Sequence, residues 1–185
     1  MGFLNKLIGW KVGGCIRLGR LDKGFSKLKW LILAVDQKKN KALVISKEPI
    51  GVSKFHDDCE PVSQMKEPLC WGNSSLRKKL NGSIFDRIFS PEEKEAILTT
   101  SVRDGNNPTV QDKLFLLSEK EARQYFADDK ARMTSGWAWW LRDTECCGWP
   151  SARTVYTTGA ISNTTTLADD AFSMRPAMWV DLSKL

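Results

Sequence analysis

The chain has 185 residues, 42% of them hydrophobic, with eight tryptophans and eight phenylalanines. That is enough apolar mass for a single domain over 1–185 and leaves no need for a second core. Its formal charge of +6 is uneven, because residues 1–50 hold eleven Lys/Arg against three Asp/Glu and the remainder sums to −2. No window approaches the run of about 20 apolar residues needed to cross a membrane, which excludes a spanning helix.

The elements follow in chain order. Trp10–Leu18 is Gly-rich and predicts a strand. Leu28–Val35 and Ala42–Ile45 are apolar runs separated by Asp36-Gln37-Lys38-Lys39-Asn40, which predicts a β-hairpin with a polar loop. Residues 49–70 lack a period and contain Pro49, Pro61 and Pro68, so a long loop is expected. Asn73-Ser74-Ser75 caps a helix through Leu80 that Asn81-Gly82 ends. A short helical segment follows at Ile84–Phe89. Ser90-Pro91-Glu92-Glu93 starts a further helix running to about Leu98. Residues 103–111 read as a loop and Lys113–Leu117 as a strand. Ser118 caps Glu119–Phe126, with Glu121 as the capping-box acid. Short strands are expected at about 137–142, 152–157, 159–163 and 174–181. Helices grouped before a final set of strands give an α+β class.

The C-terminal segment 139–180 differs from the rest. Trp139–Arg142 and Arg175–Val180 are apolar brackets around residues 143–173, which hold seven of the eleven threonines and no lysine. Val155, Ile161 and Leu167 are the sparse core positions expected within this insert. Fixed brackets around small polar residues predict a rigid scaffold presenting a surface, where binding groups usually sit. The surface is expected to comprise Thr144, Glu145, Trp149, Arg153, Tyr156, Thr158, Asn163, Thr165, Asp169, Asp170 and Phe172. Trp149, Tyr156 and Phe172 would be the anchors, and Arg153 with the acids would select the partner by charge. Trp139 and Trp140, adjacent on a strand, face opposite sides; either both are structural or one belongs to the core and the other floors the surface, and the first is favoured. Arg142 and Arg175 lie in the brackets and are expected to form framework ion pairs.

Taken in order, Trp71, Ser75-Leu76-Arg77-Lys78-Lys79-Leu80-Asn81, Phe89-Ser90-Pro91-Glu92-Glu93-Lys94, Asp112–Ser118, Glu121-Ala122, Tyr125-Phe126, Trp139–Arg142 and Arg175-Pro176-Ala177 resemble a widespread prokaryotic domain. That domain is similar to the C-type-lectin-like fold of formylglycine-generating enzymes and of the variable proteins of diversity-generating retroelements. The resemblance covers the chain from Trp10 onward. It implies a C-type-lectin-like scaffold whose C-terminal repeat is rewritten by adenine-directed mutagenesis and binds a partner protein. Val155, Gly159, Ile161 and Arg175-Pro176-Ala177 match the spared framework of such repeats. The Thr, Ser, Asn, Asp and Tyr positions between them match the changeable ones, although Trp149 is not reachable from an asparagine codon through adenine changes. A plain threonine-rich β-surface accounts for the same composition.

Other chemistry is weaker. Cys146 and Cys147 are adjacent, whereas the two active-site cysteines of formylglycine-generating enzymes are separated along the chain. An oxidase-like enzyme using Cys147 therefore stays a third option. His56 is the lone histidine and reads as a loop residue among the solvated acids Asp57 and Asp58. Asp104-Gly105-Asn106-Asn107 reads as a polar turn, since the ligand spacing of a calcium loop is missing. The sequence thus predicts a binding protein with a protein or other macromolecular ligand, no cofactor and no metal. The alternative is a nucleic-acid or anionic-surface binder using the basic half, through Lys23, Lys27, Lys29, Lys38, Lys39 and Lys41. Against it, these lysines flank strand runs, where they serve as solvated edge charges. Met1–Trp10 lacks a secretory signal pattern and Lys6 breaks the myristoylation pattern after Gly2. An odd five cysteines without a CxxC pair fit a reduced protein, cytoplasmic or carried to a virus particle or cell surface by another route, with Cys59–Cys70 pairing reserved for export.

Overall fold

Asp36–Asn40 folds the chain back on itself: the Lys39 N–H donates to Asp36 Oδ1 at 3.1 Å, and Asn40 adopts the left-handed conformation, φ 48°, that closes the turn. The structure, a computed structural model, describes residues 10–22 and 26–185. Met1–Gly9 and Lys23, read above from the sequence, lie outside the described residues. In chain order the elements are β1 (Cys15–Arg17), β2 (Lys29–Asp36), β3 (Lys41–Ser46), β4 (Val52–Lys54), α1 (Ser75–Lys79), α2 (Phe85–Ile88) and α3 (Pro91–Ala96). There follow β5 (Ile97–Leu98), β6 (Thr100–Val102), β7 (Val110–Asp112), α4 (Glu119–Tyr125) and α5 (Asp129–Arg132). The chain closes with β8 (Trp139–Cys147), β9 (Trp149–Val155), β10 (Thr166–Leu167), β11 (Ala171–Ser173) and β12 (Ala177–Asp181).

One five-stranded antiparallel sheet runs β1-β2-β3-β12-β5, so strands from both ends of the chain share it. A second runs β10-β9-β8-β11-β4, with β8 and β11 parallel. It is built almost wholly from the C-terminal segment. A β6–β7 ribbon and the grouped helices complete an α+β architecture. The helix starts follow capping chemistry: Ser74, Ser90 and Ser118 each accept the N–H three residues on, and the Ser90/Glu93 and Ser118/Glu121 pairs close capping boxes.

The break expected at Asn81-Gly82 is found: Gly82, with the non-helical dihedrals φ −117° and ψ −109°, separates α1 from α2. Several other expected elements differ. Asn81 Oδ1 accepts the N–H groups of Lys113 and Leu114 at 2.8 and 3.0 Å, which holds residues 113–117 as an extended segment rather than a strand. Only Phe115 bridges to Ala177 there. Residues 159–163 contribute only the bridge Val155–Ile161. The loops expected over 49–70 and 103–111 contain β4 and part of β7. α5, β10 and β11 are too short to leave a period in the sequence.

Four buried tryptophans organise the core, and each indole N–H has a partner: Trp30 with Leu18 O, Trp71 with Asp112 Oδ2, Trp139 with Arg132 O and Trp140 with Ser53 O. Trp139 and Trp140 do face opposite sides of β8, but both are buried, so neither floors a binding surface. Trp140 meets Phe55 and Phe172 edge-on at 5.5 and 4.9 Å, while Trp139 lies 6.5 Å from Phe126.

Arg175 is 2% exposed and, among the described residues, forms no ion pair, with Glu48 near enough only to favour its charge. Its guanidinium donates to the carbonyls of Ser46, Arg132 and Lys47 and lies over the Phe126 and Trp139 rings at 5.2 and 5.0 Å. Burial lowers its pKa to about 10, which still leaves it charged at neutral pH. Arg142, by contrast, forms the expected ion pair, with Glu121.

Arg132 Nε in turn donates to Gly159 O at 2.9 Å, which holds the turn after β9 against α5. Gly159 has φ +81°, and a Cβ there would overlap the Asp129 carbonyl. Gly148, at the β8–β9 turn, has φ +82° with open space around it. We expect Gly148→Ala to cost only the left-handed penalty of about 1–2 kcal/mol. Gly159→Ala should cost more by at least about 1 kcal/mol, because backbone must move. Urea denaturation of the two variants checks the difference, and equal losses would refute the close approach.

Candidate functional site

The register of the second sheet sorts the insert into two faces. Ser151 lies opposite Glu145 on β8 and Leu167 on β10, and Ala152 lies opposite Thr144 and Thr166. Directly opposed side chains share a face and alternate residues change face. Glu145, Trp149, Ser151, Arg153 and Leu167 therefore form the outer face, and Thr144, Pro150, Ala152 and Thr154 the inner one. Pro150, Ala152 and Thr154 are buried; on the outer face Glu145, Trp149 and Leu167 are exposed and Arg153 half-buried, while Ser151 between them is covered.

The inner face corrects the reading of Thr144. Its hydroxyl donates to the buried Asp104 Oδ2 at 2.6 Å, and the same carboxylate oxygen accepts the Trp71 N–H at 3.1 Å. Thr144 is a strut rather than a displayed group. Phe172 is likewise half-buried on Trp140 and is no surface anchor. Leu167, expected in the core, is 47% exposed, and its neighbour Ala168 is buried in its place. A one-residue shift of register moves a side chain to the other face of a strand.

A bulge in β8 shapes the outer face. The register passes from Trp140–Thr154 to Thr144–Ala152, so Leu141, Arg142 and Asp143 together oppose Arg153. The freed residues grip α4: the Arg142 N–H donates to Leu117 O, its side chain pairs with Glu121, and Asp143 Oδ2 accepts the Glu119 N–H at 2.6 Å. α4 then presents Glu119 to the sheet. Arg153 Nε lies 3.2 Å from Glu119 Oε2, its Nη2 lies 3.3 Å from Glu145 Oε1, and its Nη1 donates to Ser162 O at 2.8 Å. Thr165 Oγ1 sits 2.7 Å from Ser151 Oγ and 3.4 Å from Glu145 Oε2. Arg153, Glu145 and Thr165 are thus one cross-linked polar network.

Two apolar groups rise from that network. Trp149, 50% exposed, and Leu167 are diagonal neighbours on one face, at the spacing of about 7–8 Å where an indole reaches a leucine. Tyr156 is exposed at the far end of β9, roughly 20 Å away at about 3.3 Å per residue, and its hydroxyl lies 3.0 Å from Ser162 Oγ. Thr158, Asn163, Asp169 and Asp170 are exposed. Sequence reasoning missed the exposure of Leu167 and of Trp137, which is 68% exposed; an apolar side chain beside a bracket reads as core.

A second segment joins this end. The Phe55 and His56 N–H groups both donate to Ala168 O at 2.9 Å, and the Val62 N–H donates to Gly148 O at 2.9 Å. His56 Nδ1 accepts the Ser75 N–H at 3.2 Å, and burial lowers its pKa, so it clips the start of α1 in neutral form. Asp57 pairs with Lys79 at 2.7 Å. The Cys59 thiol is pushed up to about 11 by burial and by the nearby Asp169, far from a reactive thiolate. Cys15, Cys59 and Cys70 are free thiols, so Cys59 and Cys70 do not pair. The side chains of Cys146 and Cys147 lie outside the described residues. Among the described residues no cluster of His, Cys, Asp and Glu is placed to hold a metal ion, and no helix is long and apolar enough to cross a membrane.

Concavities of about 430, 420 and 520 Å³ share Lys27, the first against Lys47–Pro49 and the other two against the segment from Arg87 to Glu93. None of the three is lined by residues 139–180.

A family model described as a domain of unknown function, DUF6273, matches residues 39–182, and the chain belongs to that family. No curated protein and no solved structure matches it.

The two faces predict opposite tolerance. Thr158→Ala, Asn163→Ala and Asp170→Ala should each change stability by no more than about 0.5 kcal/mol. Thr144→Ala removes a bond to a buried carboxylate and should cost about 1–2 kcal/mol, and Ile161→Ala about 2–5 kcal/mol. Chemical denaturation of the five variants checks the order, and a Thr144 variant as neutral as the exposed three would refute the inner-face placement.

Proposed function

We propose that this member of the DUF6273 family is a binding protein that displays the outer face of β8, β9 and β10 to a protein or other macromolecular ligand. The observation that carries the reading is the Trp149–Leu167 pair, exposed on a sheet whose polar groups are already cross-linked. Such a surface is organised before binding, so little side-chain entropy is lost on contact. Exposed aromatic and aliphatic anchors within a polar surround are the usual anatomy of a protein interface. No covalent chemistry or cofactor enters the proposal.

The finer reading is a C-type-lectin-like scaffold of the kind used by the variable proteins of diversity-generating retroelements. Supporting it, the sheet joining both chain ends holds buried framework residues, while Thr158, Asn163, Asp169 and Asp170 are exposed where substitution disturbs no packing. The basic N-terminal half has less to offer a ligand: Lys27 is engaged by Glu93 at 2.7 Å, and Lys41 lies over the Trp179 ring at 4.3 Å.

Trp149→Ala is expected to cost at least about 2 kcal/mol of binding to a partner recovered by pull-down, while Lys38→Ala and Lys39→Ala are silent. Calorimetry checks this. Loss of binding in the lysine variants alone would move the site to the basic half. A near-copy of the DNA encoding residues 143–173, differing at adenines, would support the retroelement assignment; a flank without one argues for an undiversified binder.

A further inference from the structure

The molecule carries net positive charge, yet the end that bears Trp149 and Leu167 is acidic. Two backbone contacts bring this about. The Ala168 N–H donates to Pro150 O at 3.0 Å, which continues the β9–β10 pairing and sets Asp169 across from Trp149. The Asp170 N–H donates to Leu167 O at 3.1 Å, turning that acid back beside the leucine. From the other side, the bond from Val62 N–H to Gly148 O brings the 56–62 loop against the β8–β9 turn, with Asp58 and Glu60 both exposed. Glu145, also exposed, closes the ring on the β8 side. The bases nearby are partly engaged. Arg153 is held between Glu119 and Glu145, Lys79 pairs with Asp57 with Lys78 beside it, and Lys54 stands across from Ala171 at the edge of the sheet.

We propose that the partner presents lysine or arginine beside an apolar side chain, with the apolar group seated on Trp149 and Leu167 and the cation held by Glu145, Asp169, Asp170 and the 58–60 acids. This rests on the outer face being the binding face. Charge complementarity is what selects the partner: an indole face fenced by carboxylates attracts a cation both through its ring quadrupole and through the acids around it. The same acids repel phosphate backbones and anionic lipid, so the proposed occupant is a basic protein segment rather than nucleic acid or a membrane. Because the acids are solvent-exposed, they act mainly on the rate of encounter, and their effect weakens as salt rises.

The test uses two short peptides of equal leucine content, one with arginine and one with glutamate at the remaining positions, titrated calorimetrically into the full chain at low and high salt. The wild type should bind the arginine peptide and not the glutamate peptide, with affinity falling as salt is raised. Asp169→Asn/Asp170→Asn should weaken the arginine peptide about tenfold at low salt, and less at high salt. Trp149→Ala should abolish binding of the arginine peptide, with circular dichroism showing the variants folded. Equal affinity for both peptides, or an aspartate variant indistinguishable from wild type while Trp149→Ala still abolishes binding, would overturn the basic-partner proposal and leave the binding face standing. Arginine-peptide binding that survives Trp149→Ala would overturn both.

Discussion

One guanidinium ties the two sheets to the displayed segment. Arg175 donates to carbonyls at the end of β3 and to the Arg132 carbonyl at the end of α5, between two aromatic rings. Desolvating a cation is costly, and three carbonyl acceptors with two ring faces replace its lost water without a carboxylate in contact. The Arg132 side chain then reaches Gly159, so the constraint passes from the first sheet through α5 to the turn after β9. Removing Arg175 would take a donor from the Ser46 carbonyl and leave Arg132 O to the Trp139 indole, and shortening it to lysine would forfeit both the planar fork and the stacking.

A second constraint sets what that scaffold presents. The β8 bulge is the reason Arg142 and Asp143 leave the ladder and grip α4 instead. Through α4, Glu119 arrives beside Arg153, and Arg153 is fixed between two acids and a carbonyl. An exposed ion pair contributes little to stability, commonly less than about 1 kcal/mol. Its consequence here is local order: a long side chain on the binding face is held in one rotamer before any partner arrives.

The sequence legibility of this fold follows the range of the interactions. Helix starts are decided by residues three apart, and Ser74, Ser90 and Ser118 cap as their neighbours predict. The β2–β3 hairpin is decided by two apolar runs and a polar turn, and it too is found. What fails is register. Leu167 and Ala168 are both apolar, and only pairing with Ser151 and Pro150 decides which of them faces outward. Thr144 reads as a surface residue because its partner, Asp104, is 40 positions away in sequence. Phe172 reads as an anchor until Trp140, across the β8–β11 pairing, covers it. Glu145 on β8 and Trp149 and Arg153 on β9 stand on the face that alternation along each strand gives them.

The acidic ring around Trp149 was invisible for a related reason. Asp58 and Glu60 read as solvated loop charges, and by themselves they are. They become part of a surface only through backbone bonds that no composition signals, from the Phe55, His56 and Val62 N–H groups to Ala168 and Gly148. Side chains at Asp169 and Asp170 can therefore change without touching the Ala168 and Asp170 N–H bonds that position them, since those bonds are made by main-chain atoms. A display surface of this kind separates specificity from stability: the main chain fixes where each group stands, and the group that stands there is left to the ligand.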